Sequence, residues 1–153
     1  MLYEVIIKGA NEGEEIHFGA EESDKSVINS VEIKIDTIND NATSRSNAIL
    51  PKIILKGDIT ADNEKLKDNI IKLFTWSISE NSDDWYRDIE IVIKKSLEEP
   101  IRTFTFPKMF VVDYIENYIT DNAQRDNAQR DTRTHFELFL TQQINNLSKI
   151  DTY

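Results

Sequence analysis

Arg102-Thr-Phe-Thr-Phe-Pro-Lys-Met-Phe-Val-Val-Asp-Tyr-Ile115 is dense in aromatic and β-branched residues, and so is Thr134-His-Phe-Glu-Leu-Phe-Leu140 after a polar break. Both stretches alternate with period two and carry proline only at a joint, which predicts two strands of a closing hairpin. Neither contains the makings of a reactive centre. Between them Asp121-Asn-Ala-Gln-Arg-Asp-Asn-Ala-Gln-Arg-Asp131 is a tandem duplication of five residues. A repeat this short is not an architecture. It marks a place where added length is tolerated, so an exposed hairpin tip is expected at about 120–133.

Working back from the hairpin, the clearest alternation is Val31-Glu-Ile-Lys-Ile-Asp36. Val31, Ile33 and Ile35 face one way and Glu32, Lys34 and Asp36 the other, as in a half-buried antiparallel strand. Further strands are expected at 2–8, 16–18, 49–59 and 85–95, with a polar extended loop at about 36–47. One amphipathic helix, at about 61–79, is read from Leu66, Ile70, Leu73, Phe74 and Ser77, with Thr60 as its cap and Asp62 and Glu64 in its first turn. The prediction is a single domain over 1–153, mainly β with one helix (α+β): an antiparallel β-barrel or sandwich flanked by a mid-chain helix.

The 153 residues include no cysteine, which excludes disulfides, thiolate metal sites and thiol nucleophiles. Eighteen basic and 28 acidic residues leave a formal charge of −10, which disfavours nucleic acid and anionic lipid as partners. That charge serves solubility, or it lines a surface over which other macromolecules slide. No apolar run approaches the ~20 residues of a membrane-spanning helix, and the first residues read as a strand rather than a signal peptide, so folding in the cytoplasm is expected.

A search for chemistry is negative. His17 and His135 lie in different strands without a partner at motif spacing, and His135 alternates with Phe136, so both are expected at the surface. The paired acids Glu14–Glu15, Glu21–Glu22, Asp83–Asp84 and Glu98–Glu99 fall in expected loops, where carboxylates are solvated. The stretch Asp40 to Asn47 lacks the glycine and closing glutamate of a calcium loop. No serine sits in a nucleophile elbow and no glycines form a phosphate loop. The aromatic residues Trp76, Trp85, Tyr86, Phe104, Phe106, Phe110 and Tyr114 are read as core. No catalytic, cofactor-binding or metal-binding residue is expected.

In its order of elements the chain resembles the Hcp and phage tail-tube family of type VI secretion systems and contractile tails. Phe106-Pro-Lys-Met-Phe-Val-Val-Asp-Tyr114 and Phe136-Glu-Leu-Phe-Leu140 are similar to that family's closing hairpin. Thr43-Ser-Arg-Ser-Asn47, leading into Lys52-Ile-Ile-Leu-Lys-Gly57, looks like its extended loop and following strand. The chain is also similar to small bacterial proteins labelled "membrane-associated protease", a label that no nucleophile, metal or acid-pair motif supports. The first resemblance implies a non-enzymatic subunit that assembles with itself into a ring, typically of six, stacked into the inner tube of a contractile injection apparatus. It implies sheath, baseplate or spike proteins and cargo as further partners, and expulsion from the cell or a place in a tail-like particle. Asn39, Thr43, Arg45 and Asn47 are the expected inter-subunit contacts, and an acidic tube would not trap DNA. The alternative, from another class, is a monomeric β-barrel that binds a small ligand or protein partner in an internal cavity.

Overall fold

A computed structural model describes residues 1–9, 11–37, 49–120 and 133–153. Eight strands form one antiparallel sheet: β1 (Leu2–Lys8), β2 (Ile16–Phe18), β3 (Ile28–Thr37), β4 (Ile49–Asp58), β5 (Arg87–Ser96), β6 (Glu99–Asn117), β7 (His135–Gln142) and β8 (Asp151–Thr152). Their order is β2-β1-β5-β6-β7-β4-β3, with β8 paired to β6 off this path. The mainly β, antiparallel fold class is as expected. The sheet curls but its ladder does not close.

The curl follows from one contact. Strands β2 and β7 are four ladder steps apart, about 19 Å on a flat sheet. The rings of Phe18 and Phe136 nevertheless stack with centroids 5.6 Å apart. One face of the sheet therefore wraps around a single core that joins Val5, Ile7, Ile53, Leu55, Ile91, Phe106, Leu138 and Leu140 to the helix.

Strand β6 makes the bend possible. It is 19 residues long, because Leu97-Glu98 forms a two-residue turn and Pro100 tolerates the strand's start. It pairs with β5 up to Phe106 and once more at Met109, which faces Arg87, and from Met109 onward its other side pairs with β7. At the changeover Lys108 takes a φ of 58° while its N–H donates to Asp88 Oδ1 at 3.1 Å. A bulge at this point turns the strand from one half of the sheet into the other.

The helix α1 (Glu64–Ser77) is shorter than predicted and starts three residues later than Thr60 would allow. Asn63, not Thr60, caps it: its side chain accepts from Leu66 N at 3.1 Å. Asn63→Ala is expected to cost about 1 kcal/mol, measured by urea unfolding, whereas Thr60→Ala should change nothing there. The buried stripe is Leu66, Asn69, Ile70, Leu73 and Trp76. It is rotated from the predicted one because Asn69 Nδ2 donates to His17 O at 3.0 Å and Trp76 Nε1 to Trp85 O at 3.3 Å. Phe74 is left half exposed. A short second helix, α2 (Ser82–Trp85), precedes β5 and takes up the first residue of the strand expected at 85–95, with Asn81 accepting from Asp83 N at 3.1 Å.

Gly19 ends β2 at a φ of 83°, where an added Cβ would lie 2.1 Å from Tyr3 O. Only glycine lets the chain cross β1 this closely.

Candidate functional site

Among the described residues, the features a partner could use include strand edges and two apolar grooves. Strand β3 has β4 on one side and, among the described residues, no ladder on the other. It approaches β1 across the gap without a hydrogen-bonded pair. Its far half runs on past the core: Ile35 lies on the core-facing side, opposite the buried Pro51, yet is 55 % exposed. Outside, Lys52 bonds Asp36 at 3.4 Å and Lys56 pairs with Glu137 at 3.2 Å, so the face beside this edge is a lattice of charges. Between those charges Ile54, Phe139 and Val112 floor a groove of about 510 Å³. On β1 the ladder to β2 covers only Val5 to Ile7.

A second groove, of about 500 Å³, runs between α1 and the end of β6. Ile59, Leu66, Ile70, Ile71 and Phe74 make it apolar, and Glu116 and Tyr118 close one end. The Tyr118 hydroxyl donates to Glu116. Burial first, and then the charge of Glu116, push the Tyr114 phenol well above its ordinary range.

The predicted contacts Asn39, Thr43, Arg45 and Asn47 lie outside the described residues, as do residues 121–132 of the hairpin tip. The roots of the extended loop are seen: Thr37 is paired with Ile49, so the loop leaves from the end of the β3–β4 hairpin, next to the exposed Ile35.

Among the titratable groups, His135 differs from expectation. His135 points away from the Phe136 side but is buried, with Nδ1 2.7 Å from Arg133 O. In the sheet it lies between β4 and β6, opposite Asp58 and Asn117. Lys94 is also buried and pairs with Glu4, and His17 Nε2 lies 2.7 Å from the same carboxylate. Burial alone would raise the Glu4 carboxyl, but the hydrogen bonds and charges of Lys94 and His17 outweigh it and hold it below the usual glutamate value. A depressed folded-state pKa stabilises above the unfolded value, and the gain is lost as pH falls through the folded one. Glu4→Gln should therefore lower the unfolding free energy at pH 7 and by less at pH 3. An equal loss at both values would contradict the charge account.

Arg87 is a further buried cation. Its guanidinium bonds Asp84 at 2.7 Å and Glu14 O at 3.3 Å, and lies 4.9 Å from the Trp76 ring centroid. It ties β5, both helices and the 3-10 turn Glu12–Glu14 together, which is a structural task. Of the aromatic residues read as core, Trp76 and Phe106 are buried, whereas Trp85 is 44 % exposed. Among the described residues no group of three or more His, Cys, Asp or Glu side chains could hold a metal ion. No helix there is long and apolar enough to cross a membrane.

No family model and no curated protein matches the chain. Solved structures match it along nearly its whole length at low identity. Hcp1 from Flavobacterium johnsoniae is 12 % identical with a TM-score of 0.54, covering 99 % of this chain and 94 % of that one. Hcp1 from the E. coli EAEC 042 pathovar is 10 % identical with a TM-score of 0.56, covering 100 % and 98 %. A chain of the sheath–tube complex of an extracellular contractile injection system, PVC, in its extended state is 14 % identical with a TM-score of 0.55, covering 99 % and 87 %. The chain thus has an Hcp and tail-tube-like fold. The comparisons do not bear out the resemblance to proteins labelled "membrane-associated protease".

Proposed function

We propose that the chain is a non-enzymatic structural subunit of a contractile injection apparatus or phage-like tail, forming rings, typically of six, that stack into an inner tube. The observation that carries this reading is the agreement of the fold, end to end, with Hcp1 proteins and with a sheath–tube complex. The uncovered far half of β3 supports it, because an open edge carrying an exposed isoleucine is an aggregation hazard unless a fixed partner takes it. Copies of the same chain are such a partner, and a head-to-tail contact that closes gives a ring. Asn39, Thr43, Arg45 and Asn47, on the loop rooted beside Ile35, reach the neighbouring copy or the ring above. Folding in the cytoplasm, later expulsion within the tube, association with sheath, baseplate or spike proteins, and an acidic tube that lets DNA pass belong to the same reading.

Negative-stain micrographs of the purified chain over a range of concentrations test it. Annular particles of uniform diameter are expected. Uniform small globules at every concentration, matched by a monomer mass in sedimentation, would remove it.

The groove beside α1 favours the second reading, a monomeric module that binds a ligand or protein partner. The internal cavity this reading asked for is occupied by Phe18, Phe106, Phe136 and Met109, all fully buried, so such a ligand would sit on the outside. That reading requires thermal stabilisation by the ligand in a protein that never forms rings.

A further inference from the structure

Because β6 changes partners at its corner, the outer edge of its first half is left for another strand. Strand β8 takes it. Thr103 N donates to Tyr153 O at 2.7 Å and Tyr153 N to Thr103 O at 3.0 Å. Phe104 then faces Thr152, and Thr105 faces Asp151. Arg102 Nε adds a hydrogen bond to Thr152 Oγ1 at 3.1 Å.

The segment that carries β8 to this edge is under local strain. Asn145 holds a φ of 70°. Gln142 donates through Nε2 to Pro107 O at 2.9 Å and Asn146 O at 3.1 Å, while its Oε1 is buried with no hydrogen-bond partner. A buried acceptor left unpaired favours opening of this turn, and Asn145, a residue type that enters the left-handed region readily, lets the chain reverse there. At the other end, both residues of β8 are exposed, and the β6 edge and Ile150, packed on the core, hold the tail down.

We propose that β8 is an exchangeable strand: in the assembled state it pairs with β6 of an adjacent copy, the tail swinging about residues 143–146. The occupant of the β6 edge is then Asp151–Thr152 of a second copy. Its fit is seen in the present arrangement, since an identical strand makes identical bonds. Contacts broken within one chain are regained in the next, so the balance depends on the turn and on how close the neighbour is. Copies held side by side present the strand at an effective concentration on the order of millimolar. Opening releases Asn145 and gives Gln142 Oε1 access to water. The inference rests on the assembly reading above and adds which strand crosses between copies.

The chain has no cysteine, so an introduced pair reports the exchange directly. Facing residues of an antiparallel pair lie about 4.5–5.5 Å apart at Cα, within the reach of a disulfide. The variant Thr105→Cys/Asp151→Cys, and independently Phe104→Cys/Thr152→Cys, is oxidised in the assembled state and run on a denaturing, non-reducing gel. Exchange predicts a ladder of dimers and larger species that collapses on reduction, and internally closed monomers when the protein is oxidised dilute and unassembled. Rings in the micrographs with only closed monomers on the gel, for both pairs, would overturn the exchange and leave the tube reading standing. If neither rings nor ladder forms under any condition, both are overturned.

Discussion

Ile35→Lys should convert rings into free monomers while leaving the monomer's unfolding curve almost unmoved. Ile35 is already 55 % exposed, so in the isolated chain the exchange is a surface substitution worth within about 0.5 kcal/mol. In an assembly that covers the far half of β3, the same ammonium is placed on the core-facing side of a joined sheet. An inward-pointing charge is the device that sheet edges use to refuse a neighbour. A cost of roughly 3 kcal/mol per contact weakens each one more than a hundredfold, and every contact of a ring pays it again. Mass photometry of the two proteins at matched concentration measures this. A variant that still forms rings of normal size would mean that this edge faces solvent in the particle.

The second large effect lies in the core. Phe136→Ala is expected to destabilise the chain by about 4 kcal/mol, or to move the urea midpoint by about 2 M for a typical slope. Phe136 has no exposed surface. Its ring stacks on Phe18 and also fills the space over Gly57, where an added Cβ would come within 2.5 Å of two ring carbons. Removing the ring leaves a cavity bounded by β2, β4 and β7 and uncouples the two halves of the curled sheet. The measurement belongs at dilutions where the protein is monomeric, because assembly would add its own stability. A loss below about 1 kcal/mol would show that the halves are held by other contacts.

Half-buried strands were the readable part of this sequence, because alternation records burial on one face. Strands β3, β4 and β7 obey it, and the hydrophobic hairpin of β6 and β7 settles the class. The misreadings come from interactions that local spacing does not encode. The partner of Lys94 is Glu4, on a strand 90 residues earlier, and the Asn69 amide seeks His17 O. Helix α1 turns toward Asn69 and Trp76 for the sake of such contacts, which leaves Phe74 in the groove. Thr60 and Asn63 are both competent caps, and the structure begins the helix at the second. Strand β8 is two residues without periodicity, so its place is set by the edge that β6 vacates. Of the candidate site, the contact residues of the polar loop lie outside the described residues, whereas the exposed end of β3 is hidden inside the alternation: Ile35 fits the core pattern but outruns the core.

Amide hydrogen exchange along β3, read by mass spectrometry in dilute and in assembled protein, bears most directly on the idea that copies complete one another's sheet. Within residues 31–37 the amides turned away from β4 should exchange quickly when dilute and become protected in step with ring formation, while β5, flanked on both sides by β1 and β6, stays protected throughout. Multimers in which residues 31–37 exchange as fast as in the free chain would contradict it.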